Sequence, residues 1–472
     1  MPHGLISVLI PIAVIVLAII TKRIIPCLIV GILLGGIALE GGNIVSGIIA
    51  AADHIIKSAA SKESIYIIFF LFLFGALAEI IKVAGGIKGF VKLTEKSVKT
   101  ERGALAAIWA VTPVTFIDCC FHDIAAGTIA KALVKKVDGN KKRLAFVLNV
   151  TSCLLIIIIP FGTTYVGYIM GLITSALSKA DISGYAYQLY LRSIPYNFYS
   201  IVMIVISILV IIFNFGFNKE VKTEEQDSEF AKEHGLDEAN EQCTFAESVA
   251  PRPFNLILPL AFLIVSTFFL LWLTGKSYGG GFGNALIHAD FEKSIFISSL
   301  ISVVVTAIYY LIQKMPLKEI ETHFLSGGGE MIPPIVILIL SWGLASIVAN
   351  LGFVEFATGF VRHIPLFLLP VAIYLIGCFV SYFMGTAWGT WALLMPMAVP
   401  LAVSTGSSLA LVIGAVLAGG ALGDNASPLG ETAVLSATIA EVPVMEHVKS
   451  QLPFCLTGVI ISAALFIIFS LI

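Results

Sequence analysis

The chain alternates long apolar runs with short polar interruptions. Runs from Leu5 to Ile20, Ile24 to Leu39, Tyr66 to Ile81, Ile201 to Phe213, Phe254 to Leu273 and Leu456 to Ile472 approach or reach the roughly 20 residues that a helix needs to cross hydrocarbon. Some interruptions are charged loops. Others are glycine, proline and hydroxyl residues set inside apolar sequence, and these carry the functional information. The strongest runs from Gly420 to Thr432, between the apolar segments Leu409 to Leu422 and Thr432 to Ala440. A broken helix is tolerated at membrane depth only where protein or a wet cavity surrounds it, and its exposed ends then make ion sites. A second break, Pro160-Phe161-Gly162-Thr163-Thr164, divides the 34 residues from Leu144 to Leu177. That length is too great for one ordinary spanning helix and predicts two half-helices.

Lysine and arginine set the expected topology, because they are enriched on the cytoplasmic side of membrane proteins. Lys22 and Arg23 place the N-terminus outside. The clusters Lys82 to Arg102 and Lys131 to Arg143 are then both inside, so the apolar sequence between them must enter the membrane and return. Its middle, Thr115-Phe116-Ile117-Asp118-Cys119-Cys120-Phe121-His122-Asp123, is the expected tip of a re-entrant hairpin. Gly41 to Ser61, with Asp53, His54 and Lys57, reads as an external or interfacial helix. Glu79 reads as an interfacial carboxylate.

An acidic stretch of ten Asp and Glu against three Lys, from Asn218 to Glu247, reads as a cytoplasmic connector. The sequence on its two sides matches at a constant offset. Gly75, Asp118, Pro160 and Thr164 each lie 268 positions before Gly343, Thr386, Pro428 and Thr432. Thr386 falls in Gly385-Thr386-Ala387-Trp388-Gly389-Thr390, which predicts a second hairpin tip from Met384 to Trp391. Each half has an odd number of net crossings, so the second copy is inverted. The loops expected outside around that hairpin, Asn350 to Ile364 and Pro400 to Ser408, contain one basic residue, Arg362. The expected fold is an all-α integral membrane protein of two inverted-topology repeats, 1–217 and 253–472, joined by 218–252, with re-entrant hairpins and discontinuous helices.

Composition agrees with a multi-pass protein of the cell membrane: 58% of residues are hydrophobic, only 12% are charged, and mean hydropathy is +0.99. Nothing indicates nucleic-acid binding. The first run lacks the preceding basic residues of a secretory signal and is followed at once by a second run, so it is read as a retained helix. The seven cysteines show no metal-ligand or disulfide spacing, and Cys119 and Cys120 read as small packing residues. No nucleophile–base pair points to an enzyme.

Asp424 is the leading candidate for ion or proton handling, since a carboxylate inside a membrane segment is costly and functional by default. A nearby sodium ion stabilises its charged form and a proton its neutral form, so one residue can exchange the two. Asn425, Ser427 and Thr432 offer hard oxygens suited to sodium. Glu431 serves either function or helix capping. Asp118 and Asp123 frame His122 and could share a cavity if the hairpin tip is irregular. Asn149, Thr163 and Thr164 supply uncharged polar groups at the first broken helix, as do Thr386 and Thr390 at the second tip. Trp388 and Trp391 either pack that hairpin or wall a pocket. Asp424, Asn425, Thr432 and Asp118 are the expected sodium ligands.

These motifs give the chain its resemblance to the NhaC-type sodium/proton antiporter family of the larger ion-transporter superfamily. The most specific parts are Gly385 to Thr390 with Met395-Pro396, Gly423-Asp424-Asn425-Ala426-Ser427-Pro428, and His447-Val448-Lys449-Ser450-Gln451-Leu452-Pro453. Phe116-Ile117-Asp118 with Gly127-Thr128 resembles the family's first hairpin. The resemblance implies a secondary transporter with a scaffold and a moving transport domain, often a homodimer, without an organic cofactor. Cys119 stands where the family commonly has a second aspartate, and Asn149 where antiporter-like members often have one. Asn425-Ala426 replaces a common His-Cys pair, and Gly430-Glu431-Thr432 replaces Ser-Asp-Thr. The leading expectation is sodium/proton antiport by alternating access. The alternative is sodium-coupled transport of a small amino acid or carboxylate, with Thr163, Thr164 and Ser427 binding its polar groups.

Overall fold

The four polar breaks each fall between helices. The computed structural model describes residues 2–86, 100–180, 186–217, 252–279, 281–354, 356, 359 and 365–472. The acidic connector lies outside the described residues except for Arg252, as do Lys88, Lys92, Lys96, Lys99 and Arg362. The described chain is α-helical, with α1 (Pro2–Thr21), α2 (Ile24–Leu39), α3 (Ile44–Ala59) and α4 (Lys62–Val83) leading to the first hairpin, α5 (Glu101–Thr115) and α6 (Cys119–Lys136). The first broken helix is α7 (Lys141–Asn149), continued by a π-helical segment Val150–Leu155, then α8 (Thr164–Lys179). Helices α9 (Ala186–Ser193) and α10 (Phe198–Phe213) complete this half.

The second half begins with α11 (Phe254–Gly275), α12 (Gly281–Ile287), α13 (Phe291–Ile312), α14 (Leu317–Glu330) and α15 (Ile332–Asn350). Its hairpin is α16 (Leu368–Met384) and α17 (Ala387–Thr405), its broken helix α18 (Leu409–Ala426) and α19 (Glu431–Ile439), and α20 (Val444–Leu471) closes the chain.

Local chemistry sets several of these boundaries. Asp118 and Thr386 each accept amide hydrogen bonds at the first turn of the second hairpin helix, and Asn140 and Ser408 do the same for α7 and α18. Such caps are each worth about 1 kcal/mol and satisfy amides that hydrocarbon cannot. Helix starts therefore recur at the sequence offset: Cys119 and Ala387, Lys141 and Leu409. Packing is reciprocal as well. Helix α8 of the first half lies on α17, and α19 of the second lies on α6; α4 packs on α13 and α14, and α15 on α2 and α3.

Seven helical segments among the described residues are long and apolar enough to span a membrane, or nine if two bent pairs are counted as spans. Large apolar side chains project outward along them, such as Val265 (66% exposed), Ile312 (77%) and Ile460 (70%). An apolar surface spread over so many helices is stable against lipid rather than water. The protein is a multi-pass membrane protein with bent and discontinuous helices, as expected for residence in the cell membrane.

The packing adds to two local expectations and corrects a third. The segment read as an external or interfacial helix is α3, which folds back on α2 at a 120° bend and packs on α2 and α15. Gly36 and Gly47 leave room for the two backbones to touch there, which a charge count cannot reveal. Glu79, expected at the interface, is also covered by protein, bonded to Lys82 Nζ at 2.6 Å and close to His323 Nδ1 at 3.5 Å. Pro400 lies inside α17, not in a loop, because the buried helix tolerates the bonds lost at Pro396 and Pro400.

Candidate functional site

The first hairpin turns through Phe116 to Asp118. Asp118 Oδ1 accepts from the amides of Cys120 (3.0 Å) and Phe121 (3.1 Å), and Oδ2 accepts from Thr164 Oγ1 (2.9 Å). The Thr164 amide in turn donates to the Ile117 carbonyl at 3.0 Å. The tip is thus stitched to the first residue of the half-helix beyond the Pro160 break. Thr163 caps that half-helix by accepting from the Val166 amide at 3.0 Å.

The second tip is built differently. Gly385 adopts φ +69° at the end of α16, with Leu429 backbone packed against it, and Thr386 caps α17. Asp424, 2% exposed in the last turn of α18, accepts at Oδ1 from the Ala387 amide (3.2 Å) and at Oδ2 from the Tyr165 hydroxyl (3.4 Å). Its carbonyl accepts from Thr432 Oγ1 at 3.0 Å across the break, while Ser427 Oγ accepts from the Leu429 amide at 3.2 Å. Here the broken helix supplies a carboxylate to the hairpin's positive N-terminus, whereas the first hairpin supplies its own.

Between the two tips lies a cavity of about 200 Å³, lined by Asp118, Cys120, Glu330, Thr386, Trp388 and Glu431 among others. Tyr165 and Tyr168 pack on the Trp388 ring, with centroids 4.8 and 4.7 Å away, and the Tyr168 hydroxyl donates to the Trp388 carbonyl at 2.9 Å. Asp424 is not part of the cavity wall; Tyr165 joins it to that aromatic layer. Trp391 is fully buried and donates to the Leu417 carbonyl at 3.2 Å, so it packs the hairpin. Thr390 donates to the Thr386 carbonyl at 2.9 Å.

Other sequence-selected residues fall elsewhere. Asp123 and His122 lie inside α6 rather than at an irregular tip, and they do not share the Asp118 cavity. Asp123 accepts from Ser436 Oγ at 2.8 Å, and His122 sits between Thr115 Oγ1 (2.7 Å) and Thr151 Oγ1 (3.0 Å). Asn425 turns away from Asp424: its Oδ1 accepts from the Tyr199 hydroxyl at 2.8 Å, and its carbonyl accepts from Asn149 Nδ2 (2.8 Å) and Gln451 Nε2 (2.6 Å). Sequence reasoning missed Tyr165, Glu330 and the Ala387 amide. Tyr165 adjoins the Thr163-Thr164 break, and Glu330 ends Gly327-Gly328-Gly329-Glu330 just before Pro333-Pro334, so both had a local signal.

Paired hairpin tips and two broken helices thus meet around one cavity that Asp118, Glu330 and Glu431 help to line. The profile of the Na+/H+ antiporter family matches residues 156–471, more than half of the chain. The protein belongs to that family. As a member of the Na+/H+ antiporter family it is a secondary active transporter of the lipid bilayer rather than an enzyme. An uncharacterized protein of Haemophilus influenzae is 28% identical over 86% of this chain and 80% of its own length. The malate-2H(+)/Na(+)-lactate antiporter of Bacillus subtilis is 31% identical over 32% of each chain. The Na(+)/H(+) antiporter NhaC of the same organism is 24% identical over 38% of this chain and 39% of its own. These last two matches span about a third of each antiporter. In fold, this antiporter-family chain is similar to the YdaH transporter of Alcanivorax borkumensis, with a TM-score of 0.57 and 13% identity over 90% of this chain and 88% of that one.

Proposed function

We propose that the chain exchanges sodium for protons by alternating access, with Asp424 holding one or the other. The observation that carries this reading is the isolation of the carboxylate. It is buried, it has a backbone amide and a tyrosine hydroxyl as donors, and among the described residues no lysine or arginine pairs with it. A bare carboxylate at that depth costs several kcal/mol and is stable only when a proton or a cation neutralises it. Those two states are the elementary exchange. Thr432 and Ser427, on the same break, and Asp118, at the other tip, are the further oxygens assigned to sodium; Asn425 sits in the neighbouring Asn149–Gln451 cluster and acts on the site through its helix.

The domain division is part of the proposal: repeats 1–217 and 253–472, the second inverted, joined by 218–252. The recurring helix starts and the reciprocal packing of α8 on α17 and α19 on α6 support it. Both hairpins and broken helices would move as one body against the remaining helices, in a homodimer whose stoichiometry light scattering in detergent would measure.

A second reading is sodium-coupled transport of a small organic acid or amino acid. The cavity at the tips favours it, since about 200 Å³ beside Thr386 and Trp388 suits a solute of a few heavy atoms. The lactate and malate in the Bacillus relative's name point to the same class. Proteoliposomes under imposed sodium and proton gradients test both readings. Antiport gives an internal pH change driven by sodium with no organic solute present. Coupled uptake gives a small pH signal and sodium-stimulated accumulation from a labelled pool of amino acids and carboxylates. Neither signal in active, sealed vesicles would overturn the proposal.

A further inference from the structure

The first hairpin tip carries a donor set that sodium chemistry does not call for. Cys119 Sγ and Cys120 Sγ lie 3.9 Å apart, and Cys120 Sγ lies 3.1 Å from Glu431 Oε1 on the start of α19. One ligand atom from each of Asp118, Cys119 and Cys120 falls within 4.8 Å of the others. All four residues line the cavity between the tips. We propose that Asp118, Cys119, Cys120 and Glu431 form a tetrahedral site for a thiophilic divalent cation of the zinc class.

The geometry and the chemistry agree. With metal–sulfur bonds of about 2.3 Å and metal–oxygen bonds of about 2.1 Å, neighbouring donors in a tetrahedron stand roughly 3.6–3.8 Å apart. The distances of 3.1 and 3.9 Å bracket that separation, and the Asp118 oxygen, within 4.8 Å of both sulfurs, closes on it by a side-chain movement of up to about 1 Å. Two thiolates and two carboxylates around a divalent ion carry the same net charge as the four-cysteine shell of a structural zinc site. Binding releases the two thiol protons to water, and the metal takes the sulfur lone pairs. The outer shell is in place, because the Cys120 and Phe121 amides and the Thr164 hydroxyl already orient Asp118. Access is open: Cys120 is half-buried and Glu431 is exposed at the cavity mouth.

The hairpin fold does not itself require these thiols. At the positions 268 residues later, the second tip has Ala387 and Trp388. Thiols are also poor partners for sodium and good ones for zinc, so this pair gives the cavity a preference that the hard oxygens elsewhere lack. Because the ligands come from α6 and α19, a bound metal would fasten the first hairpin to the second broken helix. The site shares Asp118 with the sodium ligands proposed above, but binding through the two thiols stands without that reading; only its consequence for transport rests on it.

The test uses the purified full chain with Cys243→Ser, which removes the one thiol outside the described residues. Cadmium and cobalt are titrated as probes, reading thiolate-to-cadmium absorption and the visible bands of tetrahedral cobalt, with zinc as competitor. The expected result is one saturable equivalent that zinc displaces. Cys120→Ser and Cys119→Ser should each remove the charge-transfer band. Glu431→Gln should weaken affinity by at least the roughly 10- to 100-fold that loss of an outer-shell partner costs a metal site. Cys378→Ser, a buried cysteine on α16, should change nothing. Absence of saturable absorption in the Cys243→Ser protein, or a band that survives the Cys119→Ser/Cys120→Ser double substitution, would overturn the proposal. A thermal unfolding transition recorded for each variant separates lost ligation from lost fold.

Discussion

The amide of Ala387 donates to Asp424 Oδ1 at 3.2 Å, so the first residue of one hairpin helix is held by a carboxylate 37 positions further along the chain. This bond ties the second hairpin tip to the second broken helix. It also places the carboxylate in the field of a helix N-terminus, where negative charge is stabilised by roughly 0.3–2 kcal/mol. That is too little to hold an uncompensated charge at depth and enough to bias which counter-ion the site accepts.

Asp424→Asn should fold, because a neutral amide is no costlier to bury than a carboxylate and its oxygen can still accept from Ala387. It should lose sodium-dependent transport. Sodium affinity measured by calorimetry should fall at least about tenfold, a loss of about 1.4 kcal/mol. Equal affinity in variant and wild type would move the ion site to the Asp118 hairpin.

Sodium and protons should compete at Asp424. The cation needs the carboxylate, so lowering pH through the group's sodium-free titration should weaken sodium binding, by about tenfold per pH unit once the protonated form dominates. Sodium affinity that is flat with pH would exclude a shared site.

Tyr165→Phe removes one donor to Asp424 while keeping the ring on Trp388. At 3.4 Å the hydrogen bond is long, so the loss should lie near the low end of the usual ~0.5–1.5 kcal/mol and show as a few-fold weaker sodium binding with normal thermal stability.

Thiol labelling reads the topology and the hairpin together. Cysteines introduced at Arg102 and Lys136 should both react with an impermeant reagent from the cytoplasmic side. Native Cys120 should react with a small reagent through the cavity, and sodium should protect it. Opposite sides for the two loops would remove the hairpin and the inverted repeat with it.

Glu441 predicts a pH-dependent clasp at the far end of the first hairpin. Burial raises its pKa, but bonds to Lys131 (2.9 Å) and Lys141 (3.0 Å) outweigh that and hold it below the usual carboxylate range. A carboxylate with a depressed folded-state pKa adds stability above its unfolded pKa and loses it as pH falls through the folded one. Glu441→Gln should therefore lower the melting temperature slightly at neutral pH, and the difference from wild type should vanish in acid. The group is half-exposed, so the effect should be small.

Spans and breaks were legible in the amino-acid order because each depends on local chemistry. A helix needs its amides satisfied, so Asp118, Thr386, Asn140 and Ser408 cap helices wherever the rest of the chain lies. Pro160 and Pro428 stop helices for equally local reasons. The same local signals recur 268 residues later, and the helix starts at Cys119 and Ala387 and at Lys141 and Leu409 recur with them.

Which polar side chains share a place was decided only by tertiary structure. Asp424 and Asn425 are neighbours in sequence, but a helix turns about 100° per residue, so one faces the Ala387 amide and Tyr165 while the other faces Tyr199, Asn149 and Gln451. Asp118 and Asp123 separate for the same reason. Because α6 begins at Cys119, five residues carry Asp123 well round the helix to Ser436, while Asp118 stays at the tip with Thr164. Tyr165, Glu330 and Glu431 reach the site from α8, α14 and α19, and nothing along the chain says that these elements meet. Helical period fixes the angle between side chains on one helix. What each faces depends on which helices pack beside it, and that is set by burial summed over the whole bundle.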